Sequence, residues 1–320
     1  MSTPRIRILS IDGGGIKGVF PAAFLSAIEE RLPHRISKYF DLIVGTSTGG
    51  IIALGLGLGL TASQLLEFYI TKGPSIFPVS GRSLFGKCRS LFTSRYKNHA
   101  LRNALAEVFQ DLSLGDSSAR LVIPTFNSNS GEIHVYKTPH NPRFEMDFSV
   151  KAVDVALATS AAPVYLPAYI SPEGVPFLDG GLWANNPTGL AVVEAIATLD
   201  AERSNLEILS LGCTQEPKDF IKVGGGALKW ARAAITAAMS GQSFASMGTA
   251  YLLAGHDHVH RFNPTVRAGR FALDNTTSLD QLRAFGYEEA RQAIPKLRES
   301  FFFEPTAPYT PFHSHMKPSA

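Results

Sequence analysis

Tyr39-Phe40-Asp41-Leu42-Ile43-Val44-Gly45-Thr46-Ser47-Thr48-Gly49-Gly50-Ile51-Ile52-Ala53-Leu54 is the stretch on which the reading of this chain turns. Phe40 to Val44 is an apolar run of strand length. Gly45-Thr46-Ser47-Thr48-Gly49 interrupts it, and a second apolar run of helical length follows. A G-x-S-x-G between a strand and a helix is the context of a nucleophile elbow, which presents its serine on a sharp turn. Side chains at positions 45 and 49 would collide with the neighbouring strand and helix, and glycine stands at both. Ser47 is therefore expected in strained backbone geometry with Oγ projecting into a cleft. The helix that follows would aim its positive end at an oxyanion formed there.

One strand earlier the chain shows a second loop of interest. Arg5 to Ile11 is β-branched and alternating, which predicts a strand, and it runs into Asp12-Gly13-Gly14-Gly15-Ile16-Lys17-Gly18. Val19 to Leu32 then has helical spacing, with Pro21 tolerated in the first turn. Three readings of the loop compete. Gly13, Gly15 and Gly18 fit the G-x-G-x-x-G of a dinucleotide site, but that site needs a carboxylate ending the second strand, and Val44-Gly45-Thr46-Ser47 has none. A tight structural turn is the second reading. The third is an oxyanion hole, because consecutive glycines let successive N–H groups converge on one point. Such a donor is worth about 3–4 kcal/mol of transition-state stabilisation in a serine hydrolase. With a serine elbow on the next strand, the third reading is preferred.

Bulk properties narrow the class. The 320 residues, 45% hydrophobic and 18% charged, describe a globular chain with room for a sizeable core. A net charge of +3 is too mild to argue for nucleic acid. Two cysteines, Cys88 and Cys213, give neither a disulfide framework nor a metal cluster, and no cofactor is called for. The first apolar run is broken by Asp12, unlike a signal peptide, and Ile51 to Leu60 is shorter than the roughly 20 residues that span a bilayer. A soluble cytoplasmic protein is the expectation.

Beyond the elbow, Leu54-Gly55-Leu56-Gly57-Leu58-Gly59-Leu60 reads as a buried, closely packed helix, and Thr61-Ala62-Ser63-Gln64 as a capping box. From Lys72 to Arg102, both included, there are seven basic residues interleaved with Phe77, Phe85 and Phe92, without an acid. This is either an irregular solvated excursion or a flap that meets anionic headgroups with its cations and the interface with its aromatics. Leu101–Phe109 and Val150–Ala158 are expected helices. Leu121–Thr125, Ile133–Tyr136, Val164–Ile170 and Leu206–Leu211 are expected strands. Asp179 ends an apolar stretch before Gly180-Gly181, where an Asx-turn is the ordinary explanation. In His256-Asp257-His258-Val259-His260 the histidines would share one strand face, so a metal site competes with a plain polar edge strand. Long helices end the chain, and Pro305 onward reads as a loose tail. Alternating strands and helices without a linker argue for one α/β domain over residues 1–304, with a proline-rich segment at 305–320.

Asp12-Gly13-Gly14-Gly15-Ile16-Lys17-Gly18, Gly45-Thr46-Ser47-Thr48-Gly49 and Asp179-Gly180-Gly181, in that order, resemble the three signatures of patatin-like phospholipases. Ala158-Thr159-Ser160-Ala161-Ala162-Pro163 and Trp183-Ala184-Asn185-Asn186-Pro187 are also similar to family stretches, and the likeness covers roughly residues 5–215. The resemblance implies a three-layer α/β/α fold with a mostly parallel central sheet. It also implies a Ser–Asp dyad, with Ser47 as nucleophile, Asp179 as its base and the Gly13, Gly14 and Gly15 amides as oxyanion hole. The implied reaction is hydrolysis of membrane phospholipids to free fatty acids through an acyl-enzyme, at the inner face of the membrane and through peripheral, transient contact. A free carboxylate is a weak base for a hydroxyl, so the site must be partly desolvated. Bacterial members of the family include antiphage effectors switched on by a cyclic nucleotide. A cyclic dinucleotide is thus an implied activator, with regulation expected to differ after about Leu211. A homo-oligomer is compatible with the sequence.

Two other functions fit parts of the pattern. A Ser-Asp-His esterase of the α/β-hydrolase type would use Ser47, Asp179 and one of His256, His258 or His260, although its nucleophile would follow a later strand. A nucleotide-binding module would hold phosphate on the glycine loop and leave Ser47 idle.

Overall fold

A computed structural model describes residues 5–78, 94–217, 227–267 and 269–314, with the side chains of 227–236 left aside. Its centre is a mixed sheet: β1 (Ile6–Ile11), β2 (Leu42–Gly45), β3 (Leu121–Asn127), β4 (Glu132–Lys137), β5 (Tyr169–Ile170), β6 (Pro176–Asp179), β7 (Leu206–Leu211) and β8 (Val259–Phe262). The order is β5-β6-β3-β2-β1-β7-β8, with β4 also on β3. The β3-β2-β1-β7-β8 pairings are parallel. Those of β3 with β4 and β6, and of β5 with β6, are antiparallel.

Period-two burial along the strands makes the two faces. Leu9, Ile11, Ile43, Leu121, Ile123, Leu209 and Leu211 face one core. That core is covered by α1 (Val19–Glu29), α2 (Thr48–Gly57), α3 (Ala62–Ile76), α4 (Asn98–Phe109) and α5 (Ala152–Thr159). Their neighbours Ile8, Leu42, Val44, Val122, Leu206 and Ile208 face the other core. There α7 (Thr188–Thr198) and α8 (Ala227–Ala254) pack, with the short α6 (Gly181–Ala184) leading into them. The last helix, α9 (Leu279–Ser300), returns to the first face through Leu282, Ala290 and Leu297. The result is three layers, α/β/α.

This topology positions a site. From β1 and β2 the chain leaves to one face of the sheet, whereas from β7 it leaves to the other. At such a reversal the carboxyl ends of neighbouring parallel strands border a crevice. The glycine loop after β1, the elbow after β2 and the turn after β7 all lie along that edge.

Some expectations change. The strand expected over Val164–Ile170 shrinks to Tyr169–Ile170, because Val164 takes φ 73° and residues 164 and 165 turn their carbonyls to the N–H groups of Arg95 and Tyr96. The described part of the tail, through residue 314, is anchored, not loose. Thr306 donates its N–H to the Lys38 carbonyl and Phe312 to that of Pro139, both at 2.8 Å. Thr61 and Gln64 form the expected capping box at the start of α3. Residues 79–93, with Arg82, Lys87 and Arg89 of the basic stretch, lie outside the described residues.

Candidate active site

The elbow is built as its residues require. A Cβ on Gly45 would sit 2.1 Å from the Gly49 carbonyl oxygen, and one on Gly49 would sit 2.3 Å from that of Ile11. The turn therefore closes onto its own helix and onto β1 with no room for a side chain at either position. Between the glycines Ser47 is held at φ 55°, ψ −120°, a conformation that costs an L-residue about 1–3 kcal/mol. Three contacts impose it. Thr46 donates its hydroxyl to the Ala184 carbonyl at 2.6 Å, the Thr46 N–H reaches Ile11 O, and the Ser47 N–H reaches Thr159 Oγ1 at 3.0 Å.

Ser47 Oγ donates to Asp179 Oδ2 at 2.7 Å. The other carboxylate oxygen, Oδ1, accepts the Gly181 N–H at 2.6 Å. Both residues are nearly enclosed, Ser47 at 8% and Asp179 at 5% exposure. Burial pushes the Asp179 carboxyl up from 3.8 to about 6, against the two hydrogen bonds, of which the one from Ser47 is the stronger opposing influence. The carboxylate is thereby a better proton acceptor than a solvated aspartate and is still ionised at neutral pH. A rate that depends on this base should fall about tenfold per pH unit below about 6, with its inflection absent from single-turnover labelling of an Asp179→Asn protein. A pH–kcat/KM profile checks this, and an inflection near 4 would contradict it.

The glycine loop lies against the serine, with the Cβ position of Gly13 3.3 Å from Ser47 Cβ. The Gly13 N–H is already donated to the Asn185 carbonyl at 2.9 Å. Of the three amides expected to receive an oxyanion, those of Gly14 and Gly15 make no hydrogen bond with another described residue.

Thr159 is a site residue that the sequence did not single out. Fully buried, it accepts the Ser47 N–H, donates its hydroxyl to Pro124 O at 2.7 Å, and accepts the Gly180 N–H on its carbonyl at 3.2 Å. One residue thus ties the elbow to the turn that carries Asp179. Thr159→Val is expected to lower kcat about 10–100-fold at unchanged KM, because small misplacements of reacting groups weigh heavily on the chemical step. Thr159→Ser, which keeps the hydroxyl, is expected to restore most of it. Equal kcat for the valine and serine variants would contradict this role.

The late histidines go elsewhere. His256–His258 is a single 3-10 turn, and His258 Nδ1 and His260 Nε2 meet Glu207 at 3.1 and 2.6 Å. Glu207 is near the start of β7, at the opposite end of the strand from the crevice. Among the described residues no histidine is hydrogen-bonded to Ser47 or Asp179. An acidic partner for this cluster could not be placed from sequence, because β7 and β8 meet only in the fold.

Residues 9–192 match the family model described as patatin-like phospholipase. A "cGAMP-activated phospholipase" of Escherichia coli is 33% identical over 96% of this chain and 95% of its own length. One of Vibrio cholerae is 32% identical over 91% of this chain and 92% of its own. Among solved structures, VipD from Legionella pneumophila aligns over 92% of this chain and 67% of its own, at 13% identity and a TM-score of 0.49. The elbow, the dyad partners and the glycine loop all fall inside the matched segment, and the relatives extend the likeness to nearly the whole chain. This chain belongs to the patatin-like phospholipase family.

Proposed function

We propose that the protein hydrolyses acyl esters of membrane phospholipids through Ser47 and Asp179, releasing free fatty acid. The observation that carries this reading is the 2.7 Å hydrogen bond from Ser47 Oγ to a buried carboxylate, made from a strained elbow. Asp179 takes the serine proton as Oγ attacks the ester carbonyl. Charge developing on the carbonyl oxygen is met by the Gly14 and Gly15 amides and by the first turn of α2. Asp179 then returns the proton to the departing lysophospholipid oxygen, leaving an acyl-Ser47 ester. Water, deprotonated by Asp179, cleaves that ester and regenerates the hydroxyl. No histidine takes part in this scheme.

Among the described residues no helix is long and apolar enough to cross a membrane. Contact with lipid in this reading is peripheral, at the inner face, and Arg82, Lys87 and Arg89 in the basic stretch would supply headgroup contacts. The description of the full-length relatives as cGAMP-activated supports activation of this chain by a cyclic dinucleotide, in an antiphage setting. The test is fatty-acid release from phosphatidylethanolamine/phosphatidylglycerol vesicles with and without 3′,3′-cGAMP and other cyclic di- and trinucleotides. Release stimulated by one nucleotide supports the whole reading. Equal release with and without every nucleotide removes the activation and keeps the phospholipase. Cleavage of a soluble short-chain ester with no release from vesicles removes the membrane substrate.

A further inference from the structure

The glycine loop is the least self-supporting part of the site, since three consecutive glycines place little restraint on their own backbone. Its anchors come from elsewhere in the chain. Asp12, the residue before the glycines, is buried and grips Arg261 on β8 with both carboxylate oxygens: Nη1 to Oδ1 at 2.8 Å and Nη2 to Oδ2 at 2.5 Å. Nη1 of Arg261 also reaches Ser210 Oγ on β7 at 2.8 Å. Ser210 Oγ in turn meets the hydroxyl of Thr188, which donates to Asn186. On the far side of the loop the Ile16 N–H reaches Leu273 O at 2.9 Å, and Lys17 Nζ reaches Thr214 O at 3.2 Å. Arg261, Thr214 and Leu273 all lie beyond residue 192, outside the segment shared with the family model.

We infer that Arg261, acting through its two-pronged contact with Asp12, is a positioning residue that holds the glycine loop in the shape needed to receive the oxyanion. Through it the C-terminal section sets the turnover of a site whose reacting groups all lie earlier in the chain. The inference rests on the Ser47–Asp179 reading above. The physical argument is one of geometry. A bidentate guanidinium–carboxylate pair fixes both position and orientation. The carboxylate it fixes is one residue from the first glycine, so a rotation at Asp12 is passed directly to the peptide planes that follow. An interaction of this kind matters most where charge develops, and it should therefore appear in kcat and leave KM alone.

The experiment compares Arg261→Gln, Arg261→Lys and Asp12→Asn with the unaltered protein, using a soluble short-chain ester for kcat and KM. A trifluoromethyl ketone serves as a second probe, because its adduct with Ser47 places an oxyanion in the loop. Arg261→Gln is expected to lower kcat about 100-fold, comparable to loss of one oxyanion donor, and to weaken the ketone by a similar factor. KM should stay within about threefold of the unaltered value. Arg261→Lys keeps the charge without the fork and should lose about tenfold in kcat. Asp12→Asn combined with Arg261→Gln should be little worse than either alone, because both act through one contact.

Unchanged kcat in Arg261→Lys and Arg261→Gln would overturn the inference, as would a kcat loss with undiminished ketone affinity. Strictly additive losses in the double variant would do the same. If the unaltered protein shows no Ser47-dependent hydrolysis either alone or with any of the cyclic nucleotides, the dyad reading itself fails. If it does and the Arg261 variants match it, only the positioning role fails.

Discussion

Ser47→Ala and Ser47→Gly will both be inactive, each losing about a millionfold in kcat, but the glycine variant will melt at the higher temperature. Ordinarily glycine is less stable than alanine by about 0.5–1 kcal/mol, because it gives up more freedom on folding. At position 47 the order should reverse, since the backbone is held at φ 55°, ψ −120°, where alanine keeps the strain and glycine releases it. Both variants lose the same hydrogen bond to Asp179, so that loss cancels in the comparison. Thermal melting of the two purified proteins, beside fatty-acid release, checks the prediction. An alanine variant more stable than the glycine would mean that the elbow is not strained in the way its geometry indicates.

The second large effect is expected at Asp179. Asp179→Asn should lower kcat about 10⁴-fold, comparable to amide replacement of the buried acid in other serine hydrolases. One carboxylate oxygen accepts the Ser47 hydroxyl and the other the Gly181 N–H. An asparagine has a single oxygen for these two donors. With that oxygen on the Gly181 N–H, the NH₂ faces Ser47 and can only donate, so the serine proton has nowhere to go. Stability should change in the opposite sense. In the native protein the carboxyl titrates near 6 instead of 3.8. Its contribution to folding is therefore complete below 3.8 and is lost as pH rises through about 6. The amide does not titrate, so Asp179→Asn should gain in Tm relative to the unaltered protein as pH is raised across that window. A gap in Tm independent of pH would argue that the carboxyl is not desolvated. A kcat within tenfold of normal would argue that another group removes the serine proton.

The elbow was legible in the sequence because it is written locally, whereas Asp179 taken by itself read as an Asx-turn and the glycine loop admitted three readings. A strand, a turn that admits only glycine at 45 and 49, and a buried helix occupy one contiguous stretch. The pairing of Ser47 with Asp179 was not local. Those residues lie 132 positions apart, and the resemblance to a family, not periodicity, brought them together. Where support comes from long-range contact, the sequence was silent. Thr159 looks like any residue before a helix-ending proline until its hydroxyl is seen under the Ser47 N–H. Asn185 gave no hint that its carbonyl would engage the Gly13 amide. Arg261 sits one residue after a histidine cluster that drew attention to metal chemistry, yet it is the arginine, turned to the other side of β8, that reaches the loop. The strand expected over Val164–Ile170 and the expected loose tail failed for the same reason. Val164 is held by the Arg95 segment, and residues 306 and 312 by carbonyls far away in sequence.

In the proposed reaction Ser47, activated by Asp179 alone, is the residue acylated during lipid hydrolysis. The most direct measurement is covalent capture with a long-chain alkyl fluorophosphonate, followed by peptide mass mapping. One adduct is expected, on Ser47. It should form readily in the unaltered protein and in a variant lacking His256, His258 and His260, and far more slowly in Asp179→Asn. An adduct on a different residue, or a rate that collapses with the histidines and survives loss of Asp179, would contradict it.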